Sequence, residues 1–168
     1  HLGNEFFALF LDETMQYSSA VFDREGMSLA EASTAKMDRI CRKLNLQPTD
    51  HLLEIGTGWG GFAEDAASRF GCRVTTTTIS QEQFEYARRR VERAGLGERV
   101  TVLSQDYRDL HGRYDKVASI EMIEAVGHEH LDTFFRKCGE LLRPDGAMLL
   151  QAITLPDQRY EQYLRSVD

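Results

Sequence analysis

Glu54-Ile55-Gly56-Thr57-Gly58-Trp59-Gly60-Gly61 is the stretch on which the fold turns. Leu52-Leu53-Glu54-Ile55 reads as a short strand ended by glycines. A helix of about ten residues follows, to Phe70, with Gly71 as its stop. Glycines at a strand-to-helix turn let backbone N–H groups approach a ligand closely. The spacing alone is ambiguous. Gly56, Gly58 and Gly61 satisfy GxGxxG, which suggests a dinucleotide, whereas Gly56, Gly58 and Gly60 satisfy GxGxG, which suggests S-adenosylmethionine. Two features favour the second. Glu54 sits at the strand tip, where a carboxylate suits the ammonium of a methionine and repels a pyrophosphate. The next strand ends Thr77-Thr78-Ile79-Ser80, with no acid at its tip for a ribose; the first, Glu82, already lies in the following helix.

Outward from this turn the chain alternates. Arg73–Ile79 is a β-branched strand, Ser80-Gln81-Glu82-Gln83 has the form of a capping box, and its helix carries Phe84, Ala87 and Val91 on one face before Gly95. Arg99–Leu103 and Lys116–Ile120 are strands. Leu131–Leu142 is a helix with Leu131, Phe134, Phe135, Cys138 and Leu142 inward. Arg143-Pro144-Asp145-Gly146 is a turn, and Ala147–Ile153 a fifth strand. Alternation of this kind predicts an α/β fold with a mainly parallel, Rossmann-like sheet. Its ligand crevice lies beyond the carboxyl ends of the strands, among Gly56–Gly61, Ile79–Gln83, Gln105–Tyr107 and Glu121–Glu124. Residues 1–48 read as helical, with a capping box at Ser28-Leu29-Ala30-Glu31 and Ala32, Lys36, Ile40 and Leu44 along one edge of the helix it opens.

Composition narrows the classes. The 168 residues are 42% hydrophobic, enough for one domain with a real core and against disorder. Twenty Lys+Arg against 27 Asp+Glu leave a net charge of -7, so no nucleic-acid partner is expected. Apolar runs are too short for a membrane span, and His1-Leu2-Gly3-Asn4 has neither the basic nor the apolar region of a signal peptide. An initiator Met is missing, so a processed chain or a fragment is expected. Cys41, Cys72 and Cys138 form no CxxC pair, and reduced thiols in a cytoplasmic protein follow.

Further motifs accompany the glycine loop, in order: Gln16-Tyr17-Ser18-Ser19-Ala20-Val21-Phe22, Thr78-Ile79-Ser80-Gln81-Glu82-Gln83, Gln105-Asp106-Tyr107, Ser119-Ile120-Glu121-Met122-Ile123-Glu124-Ala125-Val126-Gly127-His128-Glu129 and Leu149-Leu150-Gln151-Ala152-Ile153-Thr154. Together they resemble the cyclopropane-fatty-acid synthase family, which includes the mycolic-acid cyclopropane synthases and related fatty-acid methyltransferases. The resemblance spans essentially the whole chain. It implies a Rossmann-like S-adenosylmethionine methyltransferase fold acting on the double bond of an unsaturated acyl chain, usually on a phospholipid. Family members are longer at the carboxyl end, so the chain reads as a helical segment covering the active site, 1–48, and a partial methyltransferase domain, 49–168, lacking its last two strands.

The resemblance also implies roles. Tyr17 and Ser18 line the methionine end of the cofactor, and Gly56 and Gly58, with Gly60, contact it through backbone. Thr78, Ile79 and Gln83 follow the ribose and adenine, while Asp106 and Tyr107 close over the adenine. The family holds a bicarbonate near the reacting carbon through a cysteine, a glutamate and a histidine. Glu124 matches the glutamate, Ser19 stands for the cysteine and Gln151 for the histidine. Glu124 is the candidate base, and Tyr17 a ring that stabilises cationic character. Phe6, Phe7, Phe10 and Leu11 are candidates to cover the acyl chain.

Each residue also has a plainer reading: Tyr17 as a packed aromatic, Glu121 and Glu124 as one solvated helix edge, the Phe6–Leu11 stripe as core. Arg88-Arg89-Arg90 with Arg93 reads as a solvated face before it reads as a headgroup contact at the inner membrane face. His128 and His130 beside Glu124 lack an HExxH spacing, so no metal is expected. The rival functions are a small-molecule N- or O-methyltransferase and a cofactor-binding fragment without activity. The unpaired edge of strand five would let that fragment self-associate as a homo-oligomer.

Overall fold

The computed structural model describes residues 3–165. His1, Leu2 and positions 166–168, which hold the start of the chain and the end of its second unit, fall outside the described residues. Five strands form one parallel sheet: β1 (His51–Ile55), β2 (Arg73–Thr78), β3 (Val100–Ser104), β4 (Tyr114–Ile120) and β5 (Leu142–Gln151). The helices are α1 (Asn4–Ala8), α2 (Leu29–Lys43), α3 (Gly61–Phe70), α4 (Gln81–Arg93), α5 (Leu131–Leu141) and α6 (Tyr160–Leu164). The strand order β3-β2-β1-β4-β5 reverses at β1/β4, which puts the topological switch point at the glycine turn. Among the described residues β5 is paired on one side only, by β4.

Adjacent residues of β1 face opposite layers. Leu52 joins Met37 and Ile40 of α2, Leu44 just after it, Phe62 of α3 and Val91 of α4 in one cluster. Leu53 and Ile55 join Val117 and, from α5, Phe134, Cys138 and Leu141 in the other. A fully buried Phe62 or Phe134 contributes roughly 1.5–3 kcal/mol. Phe135 is not inward: one position on from Phe134, it turns its ring edge to that neighbour at 5.3 Å and stays half exposed, while Leu141 fills the expected core position.

Three local expectations need correction. Among the described residues of 1–48, only Asn4–Ala8 and Leu29–Lys43 are helical, the second opened by the reciprocal Ser28/Glu31 capping box. Residues 9–28 form turns, because Asp12 takes the Thr14 N–H at 2.6 Å and Met15 and Gly26 hold positive φ of 55° and 77°. The Ser80 box is only half formed: Ser80 Oγ accepts from Gln83 N–H, but Gln83 Oε1 accepts instead from Thr78 Oγ1 at 2.9 Å. The Arg143–Gly146 turn lies inside β5, where pairing jumps from Tyr114↔Leu142 to Lys116↔Ala147. Arg143 holds Asp115 there at 2.8 Å, at the sheet end away from the site.

Candidate active site

Gly56, Gly58 and Gly60 all hold left-handed φ, 102°, 52° and 81°. A Cβ on Gly56 would stand 3.1 Å from the Met122 side chain, so the turn after β1 and the loop after β4 meet only because that position is bare. The same turn is tied to β2, since the N–H groups of Gly56 and Thr57 both donate to the Thr77 carbonyl. Beside it opens a cleft of about 450 Å³, lined among others by Gly56, Thr78, Ile79, Gln83, Asp106 and Tyr107. Six of the positions assigned to a cofactor therefore share one wall. Met122, within the Glu121–Glu124 stretch expected at the crevice, lines it too, and so do Arg108 and His130, which sequence reasoning did not foresee. Arg108 donates to both Asp106 oxygens, at 3.0 and 2.7 Å, and its guanidinium holds the Asp106 carboxyl below the usual range. Tyr107 is braced edge-on by Phe134 at 5.5 Å.

Glu54 is buried beneath the turn rather than on the cleft wall. Thr76 Oγ1 bonds Glu54 Oε2 at 2.6 Å and Thr57 Oγ1 at 2.7 Å, which fixes the carboxyl against the glycine loop. Burial pushes the Glu54 carboxyl up to about 8; the Thr76 hydroxyl and the Lys36 ammonium oppose that rise.

The amino-terminal segment crosses over this turn. Tyr17 is 68% exposed, its ring edge-on to Phe7 at 5.5 Å, and Phe7 in turn lies against Trp59 at 4.8 Å. Ser18 is held from below: Lys36 Nζ donates to its Oγ at 2.6 Å and its carbonyl at 3.3 Å. Lys36 is only 1% exposed. Burial lowers its ammonium to about 8, against the pull of Glu121, Asp12 and Glu54. Its signal in the sequence was a lysine on an otherwise apolar helix edge, since a lysine buried there needs partners. Arg90 is another residue whose role was missed. It pairs with Glu64 and donates to the carbonyls of Thr14 at 3.0 Å and Glu13 at 3.1 Å, pinning the segment to α4. Arg90 is thus occupied by the protein, and Arg88 by Glu92 at 3.1 Å.

Ser19 and Gln151 come together, as the resemblance implies, but around Glu121 rather than Glu124. Glu121 Oε1 accepts from Ser19 N–H at 3.0 Å and from Gln151 Nε2 at 2.8 Å, and Gln151 Nε2 also donates to the Ser19 carbonyl at 3.1 Å. Glu124 accepts from Ile153 N–H at 2.6 Å. The two acids are not one helix edge: Glu121 directly follows β4 with φ 48°, and Glu124 lies in a 3₁₀ turn. His128 and His130 both face Glu129, at 3.2 and 3.8 Å. The three cysteines are buried free thiols, and burial raises the Cys72 and Cys138 thiols to about 11. No helix among the described residues is long and apolar enough to cross a membrane.

Residues 1–166 match the family described as mycolic acid cyclopropane synthetase. Tuberculostearic acid methyltransferase UfaA1 of Mycobacterium tuberculosis is 45% identical over 165 residues, covering 94% of this chain and 38% of that protein. Cyclopropane-fatty-acyl-phospholipid synthase of Escherichia coli is 43% identical over 152 residues, covering 90% of this chain and 38% of that one. Among solved structures, mycolic acid cyclopropane synthase CmaA1 complexed with SAH and CTAB superposes with a TM-score of 0.85 at 37% identity, over 88% of this chain and 52% of its own. The chain thus spans well under half the length of these two curated relatives.

Proposed function

The chain belongs to the mycolic acid cyclopropane synthetase family, and from that premise we propose that it binds S-adenosylmethionine at the strand tips and transfers its methyl carbon to the double bond of an unsaturated acyl chain. One observation carries the reading: Gly56, Thr78, Ile79, Gln83, Asp106 and Tyr107 line a single cleft beside a turn where a side chain at Gly56 would be strained and crowd Met122. Support comes from the CmaA1 complex with SAH and CTAB, the latter a single-chain surfactant.

The residues fit such a ligand. Thr78, Gln83 and Asp106 offer polar atoms along one wall; Ile79, Tyr107 and Met122 offer flat or apolar contacts for a purine. Glu54 supplies a buried carboxyl under the methionine end. When bound, S-adenosylmethionine supplies an electrophilic sulfonium methyl that the π electrons of an alkene can take, leaving a carbocation on the acyl chain. The protein's work is then alignment and exclusion of water. Phe7 packs on Trp59 of the turn and Tyr17 on Phe7, and each ring can stabilise cationic character by about 0.5–2 kcal/mol. Glu124, held by Ile153 N–H, is the acceptor proposed for the proton whose loss closes a ring or leaves a branch. Exposed Phe6, Leu9, Phe10 and Phe22 offer an apolar surface to the acyl chain or to the face of a bilayer.

The test is incubation of the whole protein with labelled S-adenosylmethionine and an unsaturated phospholipid, followed by mass spectrometry. A gain of one CH2 unit on the acyl chain is expected, and ring-proton NMR separates cyclopropane from branch. A protein that binds S-adenosylhomocysteine but leaves every lipid unchanged would overturn the substrate assignment.

Glu54 gives the binding step a pH dependence. Its folded carboxyl is raised to about 8, so it is mainly protonated at pH 6. A ligand ammonium beside it favours the carboxylate, so binding expels a proton and is opposed by acid. Affinity for S-adenosylhomocysteine should rise about tenfold or more between pH 6 and pH 8, then level off. Glu54→Gln should flatten the profile. Calorimetry across that range checks both, and equal slopes in the two proteins would remove Glu54 from the site.

A further inference from the structure

The site that the resemblance assigns to bicarbonate does not fit an incoming anion in this chain. Such an anion needs free N–H or O–H donors around a net positive or neutral hollow. Of the three residues assigned to it, Ser19 has its N–H on Glu121 Oε1 and offers only its hydroxyl, and Gln151 spends its amide hydrogens on Glu121 Oε1 and the Ser19 carbonyl. The third, Glu124, is itself a carboxylate, already held by Ile153 N–H. An entering bicarbonate would have to displace one carboxylate and sit beside another.

We propose that the Glu121 carboxylate takes the place of that exogenous anion, so that the fixed negative charge of the reaction centre is built into the chain. Three observations point to a designed seat. Glu121 directly follows β4 at the switch point, and its N–H donates to the Gln151 carbonyl at 2.8 Å, so backbone and side chain both tie it to the end of β5. Its φ of 48° is a conformation that a residue with a Cβ adopts only when its surroundings enforce it. And Lys36, nearly inaccessible, lies close enough for Glu121 to exert the largest pull of any acid on its ammonium. The carboxylate is therefore held by two N–H donors with a buried cation in its field, and it directly precedes Met122, which lines the cleft. A negative charge there stabilises positive charge developing on an acyl chain brought up to the sulfonium methyl. It needs no bicarbonate in the medium.

The inference deepens the proposed reaction and rests on it, but its first measurement does not. Carbon-13 bicarbonate is titrated into the protein and its NMR linewidth followed, with and without S-adenosylhomocysteine. Wild type should leave the line unbroadened at millimolar bicarbonate. Glu121→Gly, which suits the positive φ and frees Ser19 N–H and Gln151 Nε2, should broaden it. Turnover is the second readout. Wild type should work within twofold of the same rate in carbonate-free and bicarbonate-supplemented buffer. Glu121→Gly should lose at least a hundredfold and regain tenfold or more with added bicarbonate or formate. Glu121→Gln keeps the acceptor oxygen without the charge and should show the loss without the rescue, which covers a glycine variant that folds poorly. Bicarbonate binding by wild type, or a fivefold rate increase on adding it, would overturn the proposal. Failure to bind S-adenosylhomocysteine would instead overturn the cofactor assignment and leave the bicarbonate linewidths to decide this one.

Discussion

Gly61→Ala should cost about 3 kcal/mol of stability and lower the melting temperature by roughly 6–12 °C. Gly61 opens α3, where alanine is ordinarily the better helix former. Here the added Cβ would lie inside the van der Waals surface of the Thr14 carbonyl oxygen and 3.0 Å from Gln16 Nε2. That carbonyl cannot step aside freely, because Arg90 donates to it at 3.0 Å while also pairing with Glu64. Relief requires lifting residues 13–16, which costs the charge-assisted hydrogen bond at about 1.5–3 kcal/mol as well as the overpacking strain. Tyr17, Ser18 and Ser19 follow that stretch directly, so ligand affinity should fall with stability. Gly139→Ala is the control. It lies within α5 with no atom within 4 Å of its added Cβ, and should stabilise by about 0.5–1 kcal/mol. Thermal melts and limited proteolysis after residue 12 read both variants. An unchanged melting temperature for Gly61→Ala would show that the amino-terminal segment does not press on α3.

The contrast marks what the sequence could disclose. Strands 73–78 and 114–120, the stop at Gly71 and the Ser28/Glu31 box rest on local signals, β-branching, periodicity and caps, and those are written within a few residues of where they act. The cleft wall was legible for a related reason: in a parallel sheet every strand tip points the same way, so naming the tips names the wall. Residues 9–28 were misread for two reasons. Asp12 and Gly26 are local turn signals that the apolar stripe outweighed, and the remaining partners are remote: the Thr14 carbonyl is held by Arg90, Ser18 by Lys36 and Ser19 by Glu121. Glu121 and Glu124 show the same limit from the other side. Three apart, they look equivalent, yet one carboxylate reaches β5 and the amino-terminal segment and the other an N–H beyond β5. Their difference is a backbone angle, not a residue type.

Lys36→Met is expected to weaken binding of S-adenosylhomocysteine more than tenfold, with a stability loss whose size depends on pH. Two contributions oppose each other. Methionine is apolar and similar in length, so it removes an ammonium that burial has lowered from 10.5 to about 8, a relief of about 3 kcal/mol at neutral pH. Against that, Ser18 Oγ and the Ser18 carbonyl each lose a hydrogen bond to a charged donor, at about 1.5–3 kcal/mol apiece; the pull of Glu121, Asp12 and Glu54 is already contained in the value of about 8. A net loss near 2 kcal/mol at pH 7 follows. Raising the pH changes the balance in a known direction. The folded value, about 8, lies below the unfolded 10.5, so between them the unfolded chain holds more protons and wild type gains stability as pH rises. Methionine has no such gain. The variant should fall a further ~2 kcal/mol behind between pH 7 and pH 9.5 from Lys36 itself, and Glu54, whose carboxyl rises further once the Lys36 ammonium is gone, widens the gap in the same direction. Urea unfolding at the two pH values measures it. A gap that stays constant would mean Lys36 keeps its proton throughout, and that its place under Ser18 is held by charge at every pH where the fold survives.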